Sequence, residues 1–179
     1  MDLSDIIDLA KKKSEPKSVL EFLQQNSFTV YLWPAAWNDV ECEIPLEWNE
    51  VSFSSDSIDL IPVEKGVYAF KIEFNSSIFP SHGYIVYFGQ SGSNSNGTLR
   101  SRFKQYLRDR SKGAKRPLFQ DLFDRWGEHL TFCFVPIPAN DFDLNALEES
   151  FNDASIPICV VNDFSAEMRP VVRALRGRG

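Results

Sequence analysis

Two runs of alternating side chains, Gly66–Phe74 (GVYAFKIEF) and Tyr84–Gln90 (YIVYFGQ), constrain this chain more than any other feature. Successive side chains on a strand point to opposite faces, so each run reads as a β-strand. The segment between them, Asn75–Gly83, is rich in Ser, Pro and Gly, which makes a hairpin the economical reading. A polar loop, Ser91–Gly97, follows. Leu99, Phe103, Tyr106 and Leu107 then recur at i, i+4, i+7 and i+8, the spacing of an amphipathic helix. Pro117 opens a further helix carrying Leu118, Leu122, Phe123 and Trp126, and Leu130–Val135 reads as a third strand. Asp141 or Asp143 caps a helix whose apolar face is Leu144, Leu147 and Phe151, and Pro157 breaks the chain after it. The order strand, strand, helix, helix, strand, helix predicts an α+β domain.

Upstream the pattern is weaker. Leu3, Ile6, Ile7 and Ala10 have helical spacing, and Ser18 with Glu21 makes a capping box ahead of Leu20 and Leu23. Ser27–Trp33 is β-prone and stops at Pro34, and from Pro34 to Ser57 no clean period emerges. At 179 residues the chain holds one principal core. The expected division is an N-terminal accessory α/β extension over residues 1–60, packed on a main domain over 61–179 that closes with a C-terminal helix. Hydrophobic residues at 43% and fifteen Phe exclude a disordered chain and predict a core built largely from rings. No apolar run is long enough for a membrane helix, and acids interrupt Met1–Leu20 where a signal peptide would be apolar, so a soluble, cytoplasmic protein without a membrane partner is expected. Cys42, Cys133 and Cys159 are too widely spaced for a zinc or disulfide framework. Cys133, alternating within a strand, reads as a small buried hydrophobe.

The net charge of -6 speaks against nucleic acid until its distribution is considered. Residues 1–60 carry twelve acids against four lysines, whereas Leu99–Arg116 carries eight basic residues against one acid, Asp109. Screening confines each charge to about 10 Å, so a local stripe can neutralise phosphates whatever the total. A solvated helix face is the bland alternative.

Three segments, Lys65–Phe70 (KGVYAF), Tyr84–Gln90 (YIVYFGQ) and Thr98–Tyr106 (TLRSRFKQY), together resemble the GIY-YIG nuclease family. Gly66, Val67 and Tyr68 stand at its first triplet, and Tyr87, Phe88 and Gly89 at its second. An arginine-bearing helix, a helical glutamate and a Pro-to-Asn ending follow in family order, from about Lys65 to Asn162. The resemblance implies a small central antiparallel sheet of three strands, 66–74, 84–90 and 130–136, flanked by helices. It also implies a metal-dependent endonuclease acting on nucleic acid, DNA in the first instance, with one divalent cation, Mg²⁺ or Mn²⁺.

Phosphodiester hydrolysis needs an activated water, stabilisation of charge on phosphorus and help for the leaving oxygen. By resemblance Tyr68 and Tyr87 orient or deprotonate the water. A phenol titrates at about 10, so a base role requires a neighbouring metal or arginine to lower it. Gly89 ends its strand without a side chain, which lets a phosphate or backbone come close. Between Arg100 and Arg102 as the phosphate-stabilising arginine, helical geometry places Arg102 beside Tyr106 at the edge of the apolar face, and family spacing also selects it. Many family members carry a histidine where Tyr106 stands. Glu148 lies about 40° from Leu144 around its helix and Glu149 about 140°, so Glu148 borders the buried face and is the expected metal ligand. A structural pairing of Glu148 with Arg102 is the competing reading. Asn162 resembles the family's final asparagine. Gly89, Arg100, Lys104, Arg108, Lys112, Lys115 and Arg116 are the expected nucleic-acid contacts. His82 and His129 read as turn residues, His82 with a chance of approaching a substrate. Two other functions compete: a catalytically weak or inactive nucleic-acid-binding module, and a protein-interaction domain using the acidic N-terminal segment.

Overall fold

The computed structural model describes residues 20, 21, 23, 24, 27–75, 77–93, 96–138 and 142–177. The expected helix around Leu3–Ala10, the capping residue Ser18 and the alternative cap Asp141 lie outside these residues. The described elements are helix α1 (Pro34–Asn38), strand β1 (Asn49–Ser52), a 3₁₀ turn (Ser55–Leu60), β2 (Gly66–Phe74), β3 (His82–Ser91), α2 (Leu99–Lys112), α3 (Pro117–Trp126), a short 3₁₀ turn (Gly127–His129), β4 (Leu130–Pro136), α4 (Leu144–Ser155) and α5 (Met168–Arg176). The fold is α+β.

The sheet has four strands in the order β1-β4-β2-β3, every neighbouring pair antiparallel, rather than the expected three. The extra strand, β1, comes from the stretch without a discernible period. Its four residues NEVS contain one apolar side chain, Val51, which pairs with Phe132, and the core ring of Phe53 follows directly. The β-prone Ser27–Trp33 forms no strand. Its apolar side chains pack instead of pairing their backbone: Phe28 meets the rings of Tyr84 and Trp126 edge-on, at 6.1 and 5.7 Å. The hairpin's second strand starts two residues earlier than expected, at His82.

Alternation sorts the sheet into two faces. Tyr68, Phe70 and Ile72 of β2, with Phe132 and Phe134 of β4, enter the larger core beneath α2 and α3. Val67, Ala69, Cys133 and Val135 point the other way, toward α4. A register shift between Phe70 and Lys71 breaks this rule on β3: Phe70 faces Tyr87 but Lys71 faces Ile85, so Val86 is the extra residue. The bulge lets both Val86 and Tyr87 enter the larger core, and the amide of Cys159 donates to the Val86 carbonyl at 2.9 Å.

Helix α2 begins with a reciprocal capping box, the Ser101 amide donating to Thr98 Oγ1 and the Thr98 amide to Ser101 Oγ. The Leu99 amide also donates to the Glu64 carbonyl at 2.7 Å, tying the helix start to the entry of β2. Leu99, Phe103 and Tyr106 are buried as their spacing predicts. On α3 the buried set is Phe119, Leu122 and Phe123, and Leu118 is exposed, one position off the expected stripe. Asp143 caps α4, its side chain accepting from the Asn145 and Ala146 amides. Ile156 ends α4 in the left-handed region (φ 47°, ψ 59°), a costly conformation for a β-branched residue. Arg176 of α5 holds the turn that follows by donating to the carbonyls of Pro157 and Val160. No helix among the described residues is long and apolar enough to cross a membrane.

Candidate active site

At the end of the hairpin where Gly66 pairs with Ser91, α2 and α3 on one face of the sheet approach α4 on the other. Between them opens a cleft of about 480 Å³ whose walls include Tyr68, Tyr87, Arg102, Tyr106, Arg116 and Glu148, with Gln90, Gln105, Asp109 and Lys115 beside them. Residues separated by up to eighty positions in sequence, Tyr68 to Glu148, meet there.

The tyrosines form the floor. Tyr68 is 2% exposed and Tyr87 5%, and a buried hydroxyl must find a partner. Tyr68 Oη lies 3.0 Å from Tyr106 Oη, and Arg116 Nη2 donates to Tyr106 Oη at 3.1 Å. The Tyr87 ring stands 6.3 Å from that of Tyr106 and lies beneath the Arg116 guanidinium, 5.4 Å away. Gly89 pairs across the ladder with Tyr68. A Cβ there would come within 2.6 Å of the Tyr68 phenol and 2.8 Å of Tyr87 Cε1. The expectation that a bare Gly89 admits a phosphate is therefore corrected: the space is taken by the two phenol rings, and the glycine is what lets them stand side by side.

Electrostatics bear on the role of the two tyrosines. Burial, reinforced by Tyr106 and Tyr87, holds the Tyr68 phenol well above its usual range, and Arg102 opposes this only weakly. Tyr87 is likewise raised, by burial and then by Tyr106, against the pull of Arg116. The protein groups around them therefore do not supply the lowering that a phenolate base would need, and with those groups alone both phenols are protonated hydrogen-bonding groups at neutral pH.

Glu148 lines the cleft and is half-buried, whereas Glu149 is exposed. Burial first and Asp163 second push the Glu148 carboxyl up to about 7, against the attraction of Arg102 and Arg116. Among the described residues no carboxylate lies within 4 Å of the Arg102 guanidinium, whose Nη1 donates to Gln105 Oε1 at 3.1 Å. A pairing with Arg102 thus does not account for Glu148. Among the described residues no three His, Cys, Asp or Glu side chains gather as a ready-made metal cage. A raised, half-buried carboxylate facing a cleft suits a cation that takes one protein ligand and completes its shell with water and phosphate oxygens, as Mg²⁺ does.

The remaining expected residues divide. Lys115 and Arg116 join the cleft, and Lys104, Arg108 and Lys112 lie on exposed parts of α2. Arg100 is committed elsewhere: its Nε donates to the Ile61 carbonyl at 2.6 Å and its Nη2 to the Asp59 carbonyl at 3.2 Å. Asn162 is exposed and outside the cleft wall. Among the described residues the buried asparagine is Asn152, one turn beyond Glu148, which donates to the Asp163 carbonyl at 2.9 Å. His82 opens β3 at the far end of the hairpin, opposite Phe74, six residues along β2 from Tyr68 and so about 20 Å away. His129 is at that end too, its ring 5.7 Å from Phe74. Sequence reasoning missed Gln90, Gln105, Asp109 and Asp163. Gln90 had a trace, as the residue after the YFG triplet, but the others lie on polar faces or in loops without a distinguishing pattern.

Comparisons of the chain with protein-family models, with curated proteins and with solved structures find no match.

Proposed function

We propose that this protein is a divalent-metal-dependent endonuclease that hydrolyses phosphodiester bonds of nucleic acid, DNA in the first instance, in the manner of the GIY-YIG nucleases its sequence resembles. The observation that carries the reading is the convergence of Tyr68, Tyr87, Arg102 and Glu148 on one cleft. These four residues were selected from family order and helical phase, and no local pattern obliges them to meet.

Within this reading Arg102 binds a non-bridging phosphate oxygen and offsets charge that builds on phosphorus, a role suited to a guanidinium without a carboxylate partner. Glu148 would hold Mg²⁺ or Mn²⁺, which when bound acidifies a water and offsets phosphate charge. Tyr68 and Tyr87, kept protonated by burial, orient water or phosphate oxygens by hydrogen bonding and leave proton abstraction to other groups. Lys104, Arg108, Lys112 and Lys115 supply a cationic surface beside the cleft, on which the backbone of a longer substrate would lie.

A second reading, a nucleic-acid-binding module with little or no catalysis, draws on the raised phenols and on Asn162 lying outside the cleft. Cleavage assays on plasmid and single-stranded substrates with Mg²⁺ or Mn²⁺, beside salt-dependent binding, separate the two. Cleavage that chelation abolishes is the expected result. Salt-sensitive binding without cleavage would favour the module, and absence of both would leave a protein-interaction role.

A further inference from the structure

Arg116 belongs to the cleft more intimately than its place in a basic stripe suggests. It is the residue before Pro117 at the start of α3, and its Cζ lies 3.9 Å from the Phe119 ring centroid, 5.4 Å from that of Tyr87 and 5.9 Å from that of Tyr106. Three aromatic rings therefore fix the guanidinium in place, and cation–π attraction favours it there. Its Nη2 donates to Tyr106 Oη at 3.1 Å, an oxygen that is also 3.0 Å from Tyr68 Oη, and the guanidinium hydrogen-bonds the Tyr87 hydroxyl as well. Among the described residues no carboxylate lies within ion-pair distance of it, so the phenols are its nearest polar company.

We propose that Arg116 is a positioning residue that sets the direction of the Tyr106–Tyr68 hydrogen bond, so that Tyr106 donates to Tyr68 and the Tyr68 proton is presented to a phosphate oxygen or water in the cleft. This rests on the nuclease reading for its substrate, although the hydrogen-bond direction does not. The reasoning is electrostatic. A guanidinium can only donate, so the Tyr106 oxygen accepts from Arg116. A cationic donor on a phenol oxygen polarises that phenol's own O–H and makes it the stronger donor of the two. The bond to Tyr68 then runs from Tyr106, and the single Tyr68 proton must seek an acceptor elsewhere. Tyr68 is 2% exposed, and the open space beside it is the cleft. Tyr87 shares both the guanidinium and the Tyr106 hydroxyl, yet the link to Tyr68 is Tyr106, whose Oη lies 3.0 Å from Tyr68 Oη.

The test uses the full chain with ¹³Cζ-labelled tyrosine, whose resonance reports the hydrogen bonding of each phenol, assigned among five tyrosines by single Tyr→Phe variants. Arg116→Gln is expected to shift Tyr106 and, through it, Tyr68, and to leave Tyr31 and Tyr84 in place. In a Tyr106→Phe background the same substitution should no longer move Tyr68. Arg116→Lys keeps the charge and the stem over Phe119 but loses the planar fork, so it should shift Tyr106 less and also provides the measurement if the glutamine variant folds poorly. In cleavage assays Arg116→Gln should lower kcat roughly 10- to 100-fold with a smaller change in KM, the usual scale for a residue that orients a functional group, and Arg116→Lys should recover part of it. A Tyr68 resonance that ignores Arg116, or one that still responds when Tyr106 is Phe, would overturn the proposal. So would a change confined to KM, which would make Arg116 only a phosphate contact. If the wild-type protein cleaves nothing, the nuclease reading fails and the tyrosine resonances still decide the direction of the relay.

Discussion

At one end of the β2–β3 hairpin, Tyr68 and Tyr87 with Tyr106 of α2 bury three phenols beside two arginines and a glutamate; at the other, Phe74 packs against His82, Trp126 and His129 at 5.3 to 6.0 Å. Both ends are rings on the same two strands. The distal rings rest on one another, and His82 Nδ1 lies 3.1 Å from the Pro80 carbonyl. At the cleft end the hydroxyls are sunk out of water, and burial holds the Tyr68 and Tyr87 phenols above their usual titration range, making them weaker acids. Burying polar groups costs stability unless each is satisfied, so such a cluster is more easily explained by use than by packing. Ring content alone does not distinguish the cleft end from the distal one. The polar atoms gathered around the rings do.

The largest effect that could break this contrast is at Gly89. Gly89→Ala places a methyl where the Tyr68 and Tyr87 rings already stand, and overpacking of this kind costs about 1–3 kcal/mol. Thermal melts should show that loss, and cleavage should disappear with it because both phenols move. Next come the two arginines of α2. Arg102→Gln should lower cleavage roughly 100-fold or more while leaving the melting temperature almost unchanged, since among the described residues its guanidinium bonds only Gln105. Arg100→Gln should do the reverse, losing about 1 kcal/mol from the bonds to Ile61 and Asp59 with cleavage nearly intact. The smallest effect is expected at the distal end, where His82→Ala should change stability by about 0.5 kcal/mol or less and leave cleavage alone. A nuclease defect in that variant would dissolve the distinction between the two ends.

Much of this was legible in the chain because it rests on periodicity. The strands at 66–74 and 130–136, the buried face of α2, and the presence of Arg102 and Glu148, rather than Arg100 and Glu149, on the cleft wall follow from which residues share a face. What periodicity does not encode was missed. Strand β1 has too few apolar residues to show alternation, and Ser27–Trp33 has the composition of a strand without a partner to pair with. The bulge at Val86 is a register event, invisible in one strand alone. Arg116 reaches the tyrosines because a turn between two helices brings it back over them, and Asn152 is buried through contact with a loop eleven residues on. Gly89 stood out in the sequence as room for a phosphate, whereas its neighbours are the Tyr68 and Tyr87 rings, and its partner across the ladder could be known only once the register was fixed.

In the proposed mechanism Glu148 holds the cation of this cleft. Its folded-state value of about 7 lies above the ordinary 4.5 of a glutamate. Between those values the folded protein retains a proton that the unfolded chain has released, so stability should fall as pH rises through that window and level off above it. Glu148→Gln removes the penalty and should melt higher than wild type at pH 8, by the equivalent of about 1–3 kcal/mol. Melts at pH 8 over a Mg²⁺ titration, with nuclease assays on the same samples, therefore test the claim directly, Glu149→Gln serving as control. The account predicts that Mg²⁺ stabilises the wild type and the Glu149→Gln protein but not Glu148→Gln, which folds well and does not cleave. A Glu148→Gln protein that melts lower and still cleaves, or that responds to Mg²⁺ like wild type, would contradict it.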